Sequence, residues 1–290
     1  MTPDVAHSPT PTSARGVTLE RWIAQTRAFV ARYARELFRD KGVLFWTLGF
    51  PVGFYLLTIT VFVPEGVPAE IEPYVLGVVA ISYGMFGAII ASLNSFSEQL
   101  GADIEADRYV QFRALPLSPT ADLAGRMIAG TVLSLVALAA VLPVGVATGA
   151  RFELQTIGSP LVVLVAVAAF AVVWMAVAVL VSVAVRNSRY ASIITVSLAL
   201  VAFMLSGYNG TDPSVFHGPD ALLNLLPHTL ATRLVADHLV AIGGTDAGIA
   251  PPDPPATGLG VALLVAYAVA ALAVAVAVTR RSLYKREVMP

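Results

Sequence analysis

The chain contains no cysteine, which excludes disulfides, thiolate nucleophiles and cysteine metal sites and leaves the redox compartment open. Charge is scarce as well: only 13% of the 290 residues are Asp, Glu, Lys or Arg, against roughly 25% in a soluble domain. Lysine is confined to Lys41 and Lys285. No G-x-x-x-x-G-K-[ST] run is present, so the chain has no P-loop of its own. H-E-x-x-H and G-x-S-x-G are also missing, which leaves the common zinc and serine intramembrane hydrolases without a candidate site. The formal net charge of −1 comes with no basic domain for nucleic acid and no acidic tail.

What remains is apolar. Hydrophobic residues make up 57% of the chain, and the mean hydropathy is +0.77. Six windows carry no charge at all: Gly42–Pro64, Pro73–Ser97, Met127–Ala150, Leu154–Val185, Tyr190–Thr211 and Pro254–Thr279. Each reaches the roughly 20 residues that a helix needs to cross a bilayer, and a charge at the centre of such a helix costs about 2.5–3.5 kcal/mol. The sequence therefore predicts an all-α membrane protein with six transmembrane helices, at about 43–63, 74–96, 122–148, 159–185, 190–209 and 257–279. Pro51 and Pro143 should kink the first and third. Gly84-Met-Phe-Gly87 and Gly145-Val-Ala-Thr-Gly149 read either as close-packing faces or as plain Ala/Gly bias.

Threading these spans with the amino terminus inside places 16 of the 18 Lys/Arg in inner segments. That bias predicts both termini in the cytoplasm. Residues 1–17, rich in Pro, Ser and Thr, read as a disordered tail without a signal-peptide core. From 18 to 41 the period is helical: Leu19, Trp22, Ile23, Thr26, Phe29, Val30, Tyr33 and Leu37 share one face, and Arg21, Arg32, Arg35 and Arg39 lie opposite. A basic face backing an aromatic one predicts an amphipathic helix in the inner headgroup layer, in contact with membrane lipids.

The loop at 98–121 is the only inner one long enough for structure of its own. A charged helix is expected from Asp103 to Ala114, closed by Pro116, with Ser118-Pro119 opening the third span and Asp122 favouring its dipole. All four histidines (His7, His217, His228, His238) fall in the tail or the outer segment 212–253, and no metal site is expected. The spans hold no Asp, Glu or His of the kind that couples carriers to ion gradients, so energy should enter from outside the membrane. Polar residues that could line a path include Tyr83, Asn94, Thr195, Ser206 and Asn209, although such groups usually hydrogen-bond between helices.

Tyr33-Ala-Arg-Glu-Leu-Phe-Arg-Asp-Lys41 before the first span, the acidic stretch and Arg113-Ala-Leu-Pro-Leu-Ser118 before the third, and Leu226-Pro-His-Thr-Leu-Ala-Thr-Arg233 before the last resemble the permease subunits of ABC transporters of the type-2 integral-membrane class. The likeness runs over about 18–288 and departs at His228-Thr229, where many relatives carry an aromatic residue. It implies a coupling helix at 103–114 that docks on a separate ATPase subunit, with Asp103, Glu105, Arg108 and Arg113 as contacts. It further implies a connecting helix at 18–41, partly re-entrant outer helices within 212–253, and a homodimer or heterodimer of permease chains. ATP and magnesium would be bound by the ATPase, and this chain would hold no cofactor. The resulting expectation is the permease half of an exporter in the cytoplasmic membrane, 42–288 forming its transmembrane domain. The alternatives are a non-transporting scaffold or assembly protein and, disfavoured by the uncharged spans, a secondary carrier.

Overall fold

The computed structural model describes residues 14–61, 67–204, 220–240 and 255–284. It is a helical bundle: α1 Ala14–Arg39, α2 Lys41–Val61, α3 Glu72–Glu105, α4 Arg108–Ala114, α5 Pro119–Ala147, α6 Ser159–Val185, α7 Ser188–Met204, α8 Pro227–Leu239 and α9 Thr257–Leu283, with a 3₁₀ turn at Asp220–Leu225. Among the described residues, five helices (α2, α3, α5, α6 and α9) are long and apolar enough to span a membrane. The fifth expected span begins as α7, an apolar helix of 17 residues, and its remainder lies outside the described residues.

Helix α3 is the axis. Every residue from Val75 to Ser97 is buried, which explains why its sequence is apolar on all sides rather than striped. Its 34 residues rise about 51 Å at roughly 1.5 Å each, well beyond a hydrocarbon layer of about 30 Å. The expected boundary near residue 96 is therefore not a helix end, and the charged stretch continues the same helix outside the apolar layer. Close packing against α3 depends on its glycines. A Cβ on Gly87 would lie 2.7 Å from the Thr47 carbonyl oxygen of α2, and one on Gly84 would lie 2.7 Å from Leu138 of α5. Gly84-x-x-Gly87 is thus a true helix contact, and compositional bias does not account for it. Pro51 follows directly on a π-helical turn, Phe45–Gly49, whose wider ring gives its pyrrolidine room.

Asp40 separates α1 from α2. Its extended backbone breaks the helix, and its Oδ1 accepts the amides of Gly42 (2.8 Å) and Val43 (3.1 Å). Helix α1 does not lie free on one face: Thr26, Phe29, Tyr33 and Leu37 are buried, packed with Ala129 and Leu133 of α5. Leu19, Ile23 and Phe38 stay exposed. Arg32 departs from the expected basic face and turns inward. Ser118 is extended and Pro119 opens α5, but the Ser118 hydroxyl pairs with that of Thr120 (2.9 Å) and caps no amide.

Helix α8 falls within the expected outer segment 212–253 and reaches into the bundle. Its C-terminus sits at the end of the bundle where α6 and α9 begin, with His238 bonded to Ser159 (3.0 Å) and Thr257 (3.1 Å). Its N-terminus lies deep. His228 stacks obliquely on Trp174 at 6.0 Å, and the Leu225 carbonyl accepts the Tyr267 hydroxyl at 3.0 Å. Trp174 and Tyr267 lie about 15 and 10 residues along α6 and α9, or roughly 22 and 15 Å into the bundle. His228 and Arg233 are consequently buried, and Arg233 bonds Asn224. The interior does hold ionisable groups. The charge-free windows did not reveal them, because α8 has 13 residues, fewer than a span, and lies between two such windows.

Candidate coupling site

At the end of the bundle that carries α1 and α4, five elements converge on two carboxylates. Asp103, near the end of α3, is buried and pairs with three guanidiniums: Arg32 of α1 at 2.9 Å, Arg108 of α4, and Arg126 of α5. Asp122, one turn before Arg126 on α5, accepts three phenols: Tyr33 of α1 at 2.5 Å, Tyr109 of α4 at 3.3 Å, and Tyr284 after α9 at 3.1 Å. The Arg126 Nε lies 3.6 Å from Asp122, and its guanidinium sits 3.9 Å above the Tyr33 ring. Glu36 closes the group, 2.9 Å from Arg32 and 3.9 Å from Arg108. Three carboxylates thus face three guanidiniums, and a balanced set is the condition under which charges tolerate burial.

The tyrosines act as donors. Burial pushes the phenols of Tyr33, Tyr109 and Tyr284 well above their ordinary value, and the negative Asp122 adds to the shift. Burial alone would lower Arg32, but Tyr33, Asp103 and Glu36 outweigh it and hold the guanidinium above its usual range.

This geometry rewrites the expected coupling helix. Residues 103–114 are not one helix: Asp107 adopts a left-handed backbone (φ 51°), which ends α3 at Glu105 and starts α4 at Arg108 in a new direction. Asp103 is buried behind α4. Glu105 points across to the start of α7, where it accepts the Ser188 amide and hydroxyl, both at 2.8 Å. Arg108 is half-exposed and tied to Asp103. Arg113 is half-buried, its Nε donating to the Tyr109 carbonyl at 3.2 Å. The side of α4 that faces outward is Val110, Gln111, Ala114 and the following Leu115, with Val110 53% and Leu115 55% exposed. From behind, Gln25 of α1 binds the Pro116 carbonyl and the Ser118 amide, both at 2.9 Å.

The expected path residues divide. Asn94 and Thr195 meet: the Asn94 carbonyl accepts the hydroxyls of Ser192 (3.0 Å) and Thr195 (3.1 Å). Tyr83 stands apart, bonded to Thr58 at 2.6 Å. Ser206 and Asn209 lie outside the described residues. Among the described residues no group of three or more His, Asp or Glu could hold a metal ion. Sequence reasoning missed Tyr33, Glu36, Tyr109, Arg126 and Tyr284, and gave Asp122 only a dipole role. The signals available were the Asp122/Arg126 spacing of four and a tyrosine inside the apolar stripe of α1.

The family profile described as ABC-2 type transporter matches residues 24–233, from within α1 to within α8. The chain belongs to the ABC-2 type transporter family. No curated protein matches it. As a member of that family it is a multi-pass membrane permease component and not itself an ATPase. The family implies association with an ABC ATPase.

Proposed function

We propose that this ABC-2 permease is half of an ATP-driven exporter in the cytoplasmic membrane, pairing with a second permease chain and docking a separate ATPase through α4. The observation that carries the reading is a short helix braced from behind by the buried Asp103, Asp122 and Arg126, with Arg32, Glu36 and Arg108 at the partly exposed edge of the cluster, while Val110, Gln111, Ala114 and Leu115 stay uncovered. A braced projecting helix passes a partner's push into α3, α5 and α1 at once, whereas a solvated loop would yield to it. Arg108 and Arg113 flank this edge and contribute charge to the contact. Asp103, being buried, serves the contact from behind, and Glu105 serves it through α7.

The excess of Lys/Arg at the α1 end supports placing both termini in the cytoplasm. Leu19, Ile23 and Phe38 on α1, with Arg21, Arg35 and Arg39 nearby, support contact with the inner lipid leaflet. The chain brings no cofactor; ATP and magnesium belong to the ATPase. Counting the charge-free window Tyr190–Thr211, which α7 opens, as a span gives six. Asn94, Thr195 and Tyr83 are the described polar groups nearest to a path, and the largely apolar bundle suits a lipid-like or amphiphilic cargo.

Purification of the tagged chain from its native membrane should bring down an ATPase subunit whose ATP turnover depends on the permease. Reconstituted alone, the chain should drive no uphill accumulation. A solitary chain, or one that pumps unaided, overturns the reading.

A further inference from the structure

One row of residues on α3 serves neither the charge cluster nor the apolar core. Asn94, Glu98, Gly101 and Glu105 recur at steps of four, three and four, so they form one stripe along the helix. Facing them on α7 are Thr195, Ser192 and Ser188, spaced three and four in the opposite sense. The stripes meet rung by rung. Asn94 accepts from Thr195 (3.1 Å) and Ser192 (3.0 Å), and Glu98 accepts from Ser192 (2.8 Å). Glu105 takes both the amide and the hydroxyl of Ser188 at 2.8 Å. Between the carboxylates, Gly101 lets the chains touch: a Cβ there would lie 3.0 Å from the Ser188 Cα.

The last rung has a second consequence. Ser188 is the first residue of α7, so Glu105 places a carboxylate on the free amide end of that helix, where negative charge is favoured. Asn187 adds the ordinary local cap, accepting the Tyr190 amide at 3.1 Å. The start of α7 is therefore built jointly by its own turn and by the residue that ends α3, three positions before α4 begins.

We propose that this polar seam is a rigid joint that carries movement of α4 into α7, with Glu105 and Glu98 as positioning residues for transport. Helix α4 is covalently continuous with α3 through two residues, and α3 holds α7 by charge-assisted and hydroxyl hydrogen bonds. At Asn94, inside the apolar stretch, such bonds hold helices together where burial of apolar surface does not, while the Glu105 bonds lie in the exposed stretch beyond it and cap the start of α7. The seam stays closed through the cycle, and α3, α4 and α7 move as one body. This rests on the docking role proposed for α4.

The test uses the permease co-purified with its ATPase, in lipid nanodiscs. The chain lacks cysteine, so Ser197→Cys on the exposed side of α7 gives a single nitroxide site. ATP with vanadate should change its spectrum in the otherwise unaltered chain. Glu105→Ala combined with Glu98→Ala, measured on complexes that have captured the ATPase, should abolish at least about two-thirds of that change, each lost bond weakening the seam roughly threefold. Glu105→Gln, which keeps an acceptor for the Ser188 amide, should fall between. A full nucleotide response in the double variant overturns the joint. Failure of the unaltered chain to capture an ATPase overturns both this proposal and the docking role, whereas capture with an unchanged label overturns this one alone.

Discussion

Tyr33 of α1 donates its hydroxyl to Oδ1 of Asp122 on α5 at 2.5 Å, in a site from which water is excluded on all sides. The same carboxylate takes Tyr109 and Tyr284, so one side chain fastens the first helix, α4 and the end of α9. All three phenols must keep their protons for this to work.

That requirement sets a pH dependence. The folded-state values of Tyr33, Tyr109 and Tyr284 are raised above that of an unfolded tyrosine, near 10. Their contribution to stability is therefore complete below about pH 10 and declines as pH rises further, because the unfolded chain releases protons that the folded one retains. The thermal midpoint in detergent should be flat from pH 7 to 9.5 and fall above pH 10. Changing all three to Phe should lower the midpoint at neutral pH and flatten the alkaline fall. An equally steep fall in the triple variant would detach the tyrosines from the effect.

The ion pair beneath them predicts non-additive mutations. Arg126 and Asp103 are both about 1% exposed, and removing either leaves one charge of the buried cluster uncompensated, at up to about 3–5 kcal/mol. Arg126→Met or Asp103→Asn alone should lower stability by that order. The double variant should cost less than the sum, since no uncompensated charge is left between the two positions. Strictly additive losses in a thermal-shift cycle would count against direct pairing.

The apolar helices were readable because the bilayer imposes length and excludes charge. The described helices at 119–147, 159–185 and 257–283 lie on the charge-free windows. The coupling region was less legible for a definite reason. Charge in the stretch Glu98–Arg113 looks like a solvated loop when it is read along the chain. The charge of Asp103 is instead spent inward, on partners 71 and 23 residues away, Arg32 and Arg126. Long-range pairing leaves no periodic trace in one sequence. The break at Asp107 was equally silent, since an aspartate with positive φ carries no local signature comparable to a glycine. Helix α8 lies in the segment expected to be partly re-entrant, but the burial of its His228 and Arg233 was not legible, because a helix shorter than a span leaves no charge-free window.

Attachment of α1 offers a steric test. A Cβ on Gly125 of α5 would lie 2.4 Å from the Phe29 Cβ and 3.0 Å from the Val30 amide nitrogen, so backbone must move to admit it. Gly125→Ala should displace α1 and cost about 1–3 kcal/mol, the usual range for overpacking. Gly53→Ala, with nothing within 4 Å of the new methyl, should be harmless or slightly stabilising, as expected for glycine in a helix interior. Limited proteolysis between α1 and α2 should quicken in the first variant only. Equal resistance in both would mean that α1 is held by something other than its fit to Gly125.

The outward edge of α4 separates docking from bracing. Val110 and Leu115 are exposed, apolar and close in sequence to Arg108 and Arg113. If the ATPase seats on this edge, Val110→Glu with Leu115→Glu buries two carboxylates against a partner and should reduce its capture by tenfold or more, on the order of 1.4 kcal/mol or above. The permease's own thermal midpoint should hardly change, because neither side chain supports the bundle. Reversing Arg108 should do the opposite: it sets a third carboxylate beside Asp103 and Glu36, so the fold itself should weaken before any docking defect can be read. Measuring midpoint and ATPase capture together on both variants distinguishes the two roles. Normal capture by the Val110/Leu115 variant would require the ATPase to dock elsewhere.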